Sequence, residues 1–166
     1  MYLLHRYRHG DLKPQNILFR LDKMHIGIKL CDFVNACIVG QARTLAGFSA
    51  DWVSPEVFAA SQNNTEIKAT TAIDVFSLGL ILGTLFDGSC RSGHSVLPTD
   101  DPAKYRRALS DQEYLHSLLP CQEGGSYREW VHRMCRIDPS SRCTVRMLIR
   151  DIEELSRTNN KFLKDR

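Results

Sequence analysis

The sequence predicts a mainly α fold, an α+β arrangement in which a small β-hairpin stands ahead of a helical body. Two short runs of strand type, residues 17–20 and 26–31, lie close together near the N-terminus, joined by a polar turn around Asp22 and Lys23. Beyond them, the stretch from Thr70 to Leu82 is apolar on nearly all sides, as a helix buried at a domain centre is. Periodic segments at about 102–109, 111–119, 126–136 and 144–155 supply the remaining helices.

A chain of 166 residues is long enough to bury one core. The net charge of +3 is small and its lysines and arginines are scattered, which argues against a nucleic-acid partner. The six cysteines, at 31, 37, 90, 121, 135 and 143, have neither zinc-site spacing nor the density of a disulfide scaffold. Reduced thiols and a cytoplasmic location are the expectation. The longest apolar run, Phe76 to Phe86, falls well short of the roughly 20 residues of a membrane span, and Met1-Tyr2-Leu3-Leu4 is interrupted too soon for a signal peptide. No membrane partner is expected.

Residues 1–8 carry no cap residue and no approach segment, an odd place for a domain to begin. His9-Gly10-Asp11-Leu12-Lys13-Pro14-Gln15-Asn16 follows and reads as a loop, because Gly10 and Pro14 break helical continuation. Ile17, Leu18 and Phe19 then suit a buried strand. A carboxylate (Asp11), an ammonium (Lys13) and an amide oxygen (Asn16) on one loop suit phosphoryl transfer. Standing alone, the same cluster also describes a solvated turn.

Past the hairpin comes Cys31-Asp32-Phe33-Val34, which the hairpin would return to the same site. Residues 35–53 are small, polar and glycine-bearing, a loop. Pro55 and Glu56 can open a helix over about 56–61, since proline costs nothing at the first position and a carboxylate there suits the dipole. Asp74 sits near the start of the central helix, where it serves either the helix dipole or buried donors. Residues 88–101 read as a linker or exposed insert, Trp130, Val131 and Met134 as core, and 158–166 as a polar C-terminal tail after the domain of residues 1–157.

Five of these stretches, taken in order, resemble the landmarks of protein kinases. Residues 9–19 are similar to the catalytic loop, with Gly10 where arginine is usual; Lys13-Pro14 looks like the serine/threonine branch. Residues 31–33 resemble the Asp-Phe-Gly motif, with Val34 in place of glycine. Ser54-Pro55-Glu56 resembles the end of an activation segment, residues 74–79 the central helix, and Asp138-Pro139-Ser140-Ser141-Arg142 a later turn. The resemblance implies that Asp11 accepts the substrate hydroxyl's proton, that Lys13 steadies the γ-phosphate of ATP, and that Asn16 and Asp32 hold Mg²⁺. It implies that Asp74 accepts backbone hydrogen bonds from the catalytic loop and that Glu56 pairs with Arg142.

The resemblance covers the kinase C-terminal lobe, and nothing ahead of residue 9 matches a glycine-rich loop or its strand lysine. The expectation is therefore a C-lobe whose N-lobe is absent, a phosphotransferase for Ser/Thr of protein substrates when completed and inactive by itself. One face of residues 71–86 would then be left uncovered. Two alternatives stand beside it: a pseudokinase or regulatory binding lobe, suggested by Val34, and a small-molecule phosphotransferase of the aminoglycoside or choline kinase type, whose loop also reads His-Gly-Asp.

Overall fold

The computed structural model describes residues 6–22, 25–43, 47–86, 96–119 and 126–164, with side chains from residue 127 to residue 157 in the last stretch. The turn at Lys23, Thr44, residues 88–95 of the expected insert, and the cysteines at 90 and 121 lie outside the described residues.

Three two-stranded antiparallel ribbons open the fold. Strand β1 (Tyr7–Arg8) pairs with β4 (Cys37–Ile38), setting Arg8 opposite Cys37. Strands β2 (Ile17–Asp22) and β3 (His25–Leu30) form the expected hairpin, in register Ile17 to Leu30 and Asp22 to His25. Strand β5 (Ala42–Arg43) pairs with β6 (Ile67–Lys68), so the segment expected to be an unbroken loop is anchored at its middle. Pairs this short depend on one or two hydrogen bonds and leave no alternating pattern to read.

The helices follow the predicted positions. Helix α1 (Pro55–Gln62) starts on its proline and ends where Asn64 adopts a left-handed φ of 50°. Helix α2 (Thr71–Phe86) is the central helix. The Asp101 carboxylate caps α3 (Pro102–Ala108) through the N–H groups of Ala103 and Lys104, and Asp111 caps α4 (Gln112–Leu118) through Tyr114 N–H. Helix α5 (Ser126–Met134) lies against α2. A Cβ on Gly79 would stand 2.6 Å from Cys135 Sγ and 2.8 Å from Met134 Cβ, so only glycine admits this approach. The Gln112 carboxamide then ties α4 to the end of α5, accepting from Ile137 N–H at 2.8 Å and donating to Cys135 C=O at 3.1 Å.

The main core gathers Trp52, Val57, Phe76, Leu80, Leu115 and Val131 around α2, and a smaller cluster joins Val75, Met134, Cys143 and Leu148. Several expectations are corrected here. No face of the central helix is fully open: Leu78 and Leu82 are half-buried against the cluster of Met134, Cys143 and Leu148, and Leu85 and Phe86 at its end are exposed. The bare apolar surface belongs to the hairpin. Its directly paired side chains Phe19 and Ile28, and Leu21 and Ile26, are 66–72% exposed, since no described element packs on that face. Leu97, placed in an exposed insert, is buried in the core. Helix α6 (Val145–Lys164) runs past residue 155, so the boundary at 157 falls inside a helix. The stretch contains no glycine or proline to stop it, and Glu153 meets Arg157 at 3.7 Å, an i,i+4 pair in the favourable order.

Among the described residues no helix is long and apolar enough to cross a membrane. Cys31, Cys37, Cys135 and Cys143 are in no disulfide.

Candidate active site

The loop between β1 and a 3-10 turn at Pro14–Asn16 carries the site. Gly10 shapes it. With φ at +84° and its would-be Cβ 2.7 Å from Asn35 C=O, the position excludes any side chain. The missing arginine is thus part of the loop's geometry: Asn35 occupies the space that a side chain would need.

Two anchors hold the loop from below. The half-buried Asp74 carboxylate accepts from the backbone N–H of His9 at 2.7 Å and of Gly10 at 2.9 Å. Burial pushes this carboxyl above its ordinary range, while the two N–H donors and the nearby His9 and Arg8 pull it back. His9 is buried. Its Nε2 meets Cys31 C=O at 3.0 Å and its Nδ1 accepts from Asp11 N–H at 3.4 Å. The ring also packs on Phe33, centroids 5.1 Å apart.

At the loop's surface the chemistry-bearing groups converge. Lys13 Nζ donates to Asp11 Oδ2 at 2.8 Å and to Ser49 Oγ at 2.9 Å, linking the loop to the downstream segment. The Asp11 and Lys13 side chains are only 11% and 24% exposed, so their charges interact with limited screening. The Asn16 Nδ2 donates to Asp11 C=O at 2.9 Å, which fixes the amide orientation and leaves Oδ1 without a partner among the described residues. Across the hairpin, Cys31 N–H donates to Asn16 C=O at 3.0 Å, bringing Asp32 beside Asn16. Asp32 is exposed and holds a left-handed φ of 62°, a conformation unusual for a residue with a side chain and common at functional sites. Val34, where the family's glycine is usual, has no positive φ. It occupies a turn closed by Ala36 N–H to Phe33 C=O at 3.0 Å, which a β-branched residue tolerates.

The segment after Asp32 is pinned along its length. Gly40 N–H donates to Ala69 C=O and Ala69 N–H to Gln41 C=O, both at 2.8 Å. Further along, Tyr105 Oη donates to Ala50 C=O at 2.9 Å and Ser77 Oγ to Trp52 C=O at 2.7 Å. Its end is fixed by Arg142, whose five N–H donors are all used: two on the Glu56 carboxylate at 2.6 and 2.7 Å, and one each on the carbonyls of Ala72, Arg136 and Ile137. Sequence reasoning missed Ser49 as the partner of Lys13, and it missed His9, Ser77 and Tyr105 as supports. His9 and Ser77 lie inside the stretches 9–19 and 74–79, which could have flagged them, whereas Ser49 and Tyr105 belong to no motif and only the fold reveals them.

The arrangement offers a general base, an adjacent ammonium and two oxygen groups for a hard cation. Comparison with known proteins shows the family. The family described as protein kinase domain matches residues 1–152. The mouse ribosomal protein S6 kinase alpha-6 is 27% identical over 153 residues, covering 86% of this chain and 18% of the relative. The human phosphorylase b kinase gamma catalytic chain, liver/testis isoform, is 29% identical over 143 residues (82% and 32%), and the Candida albicans extracellular signal-regulated kinase 1 is 33% identical over 129 residues (69% and 30%). The chain therefore spans less than a third of the length of these curated relatives. With a catalytic-loop geometry on one side and a match across residues 1–152 on the other, the chain belongs to the protein kinase domain family.

Proposed function

We propose that this chain carries the C-terminal lobe of a serine/threonine protein kinase domain, which transfers the γ-phosphate of ATP to protein hydroxyls once an N-terminal lobe completes the nucleotide cleft. The observation that carries this reading is the Lys13 ammonium bridging Asp11 and Ser49. It orients the carboxylate and keeps a positive charge where a transferred phosphoryl group would need one.

In this reading Asp11 takes the proton of the incoming hydroxyl and holds that oxygen in line, and Lys13 steadies the negative charge on the transferring group. Mg²⁺ suits the donor set, since the Asn16 Oδ1 is left free by the fixed amide and the Asp32 carboxylate is exposed beside it. When bound, the ion supplies neutralisation of phosphate charge. Glu56, Arg142 and Asp74 act by support, holding the segment end and the loop. A cytoplasmic setting with no nucleic-acid or membrane partner belongs to the same proposal.

The test is transfer from γ-labelled ATP by the 166-residue chain, alone and joined to the N-lobe of one of its relatives. The expected result is no transfer alone, and transfer to serine or threonine of a protein when joined. Transfer to a small aminoalcohol or sugar and to no protein would replace this reading with the small-molecule phosphotransferase. Nucleotide binding without any transfer would make the chain a pseudokinase lobe.

A further inference from the structure

Arg8 has no place in the scheme above, yet it is buried, 2% exposed, and among the described residues its Nε and Nη1 have no hydrogen-bond partner. A buried guanidinium without acceptors costs free energy unless a countercharge is close. Its surroundings identify one. Arg8 Nε lies 3.2 Å from the point where a Cβ of Gly10 would be, and the N–H of Gly10 itself donates to Asp74 Oδ1 at 2.9 Å. Strand β1 packs against α2, the helix that carries Asp74. Arg8 and Asp74 thus border the same glycine, and the absent side chain at position 10 is what lets the guanidinium in.

We propose that Arg8 is a positioning residue: its guanidinium, seated against Gly10, is the buried countercharge of the Asp74 carboxylate, and through Asp74 it holds the backbone of the catalytic loop. Only the ionised carboxylate has lone pairs for both the His9 and Gly10 N–H donors without a competing proton. The groups facing Asp74 are few. His9 lies beside it on the loop, its ring turned to Cys31 C=O and Asp11 N–H, and Arg8 lies near it on β1 with a charge that does not titrate. Arg142 reaches α2 at Ala72 C=O but spends its charge on Glu56. Arg8 is therefore the permanent charge available to Asp74. The Coulombic pull of Arg8 on this carboxyl, opposing its burial, has the required direction.

The role separates from simple packing by its dependence on pH. Removing the charge should raise the folded-state pKa of Asp74 further. A raised carboxyl pKa means that the folded state holds the proton at pH values where the unfolded chain has lost it, so the penalty of Arg8→Met should be largest near neutral pH and shrink on acidification. A packing loss would cost the same at every pH.

The experiment is a carbon-13 NMR titration of the Asp74 carboxyl in the full 166-residue chain, with amide exchange at His9 and Gly10 read in parallel. Arg8→Met should raise the Asp74 pKa by about one unit or more and speed exchange of both amides about tenfold. Arg8→Lys, which keeps a charge, should titrate like the wild type. An unchanged Asp74 pKa in Arg8→Met, or a rise in Arg8→Lys as large as in Arg8→Met, overturns the proposal. Should Arg8→Met fail to fold, Arg8→Lys decides: a wild-type titration supports the countercharge, and a pKa raised by a unit refutes it.

Discussion

Breaking the Glu56–Arg142 pair should cost far more than an ordinary surface ion pair does. The Arg142 side chain is wholly buried and its five donors meet five oxygens at 2.6–3.0 Å, whereas the Glu56 side chain is 20% exposed. Replacing Glu56 by Gln leaves the guanidinium buried, with three neutral carbonyls and a weakened fourth partner. Replacing Arg142 by Met strands the carboxylate and three carbonyls. Each loss falls in the range of about 3–5 kcal/mol for a severed buried pair, a large part of the roughly 5–15 kcal/mol that holds a domain together. At about 2–4 °C per kcal/mol for a chain of this size, that is a fall in melting temperature on the order of 10 °C. Thermal and urea unfolding of both single variants and the double variant complete a cycle. The double variant should lose clearly less than the sum of the singles. Additivity within about 0.5 kcal/mol would mean that the contact carries no coupling, and the reasoning would fail.

Four other outcomes follow from the geometry. Gly10→Arg, which restores the family's usual residue, should destabilise the fold, because the positive φ and the 2.7 Å approach to Asn35 C=O leave no room; an unchanged melting temperature would contradict this. Because Gly10 offers no guanidinium to receive a phosphate, phosphorylation within residues 35–53 should not greatly raise activity, and a large rate gain on modifying Ser49, whose hydroxyl accepts from Lys13, would count against the account. Burial, with the charges of His132 and Arg136 adding, pushes His116 down to about 4. The unfolded chain then binds the extra proton between the ordinary 6.5 and about 4, so stability should be lost as pH falls through that window, and His116→Gln should flatten the slope. The exposed hairpin face should make the chain self-associate with concentration, and Phe19→Ser with Ile28→Ser should reduce light scattering; equal scattering would place the sticky surface elsewhere.

Much of the fold was legible because its signals are local. The all-round apolarity of residues 70–82 marks a buried helix, Asp101-Pro102 and Ser54-Pro55 mark helix starts, and the Asp11, Lys13, Asn16 and Asp32 chemistry sits on motifs of fixed spacing. What escaped depends on where the chain goes in space. That Ile17 to Phe19 would be strand was readable, but burial of a strand requires a covering element, and none among the described residues supplies one. The cover on α2 comes from α5 and residues 143–148, far along the chain. The two-residue strands carry no period, and Ser49 reaches Lys13 across 36 residues without any motif to announce it. Arg8 looked like one more residue of the N-terminal stretch, because burial of a charge has no sequence signature.

The central claim is that Asp11 serves the chemistry while Asn16 and Asp32 serve the metal. The most direct measurement sets single-turnover phosphoryl transfer beside Mg-nucleotide affinity, for the wild-type and Asp11→Asn proteins, each joined to an N-lobe. Loss of a positioned general base predicts a rate at least about 10²-fold lower at unchanged nucleotide affinity. Wild-type transfer by Asp11→Asn, or a fall in affinity that accounts for the whole loss, would contradict it.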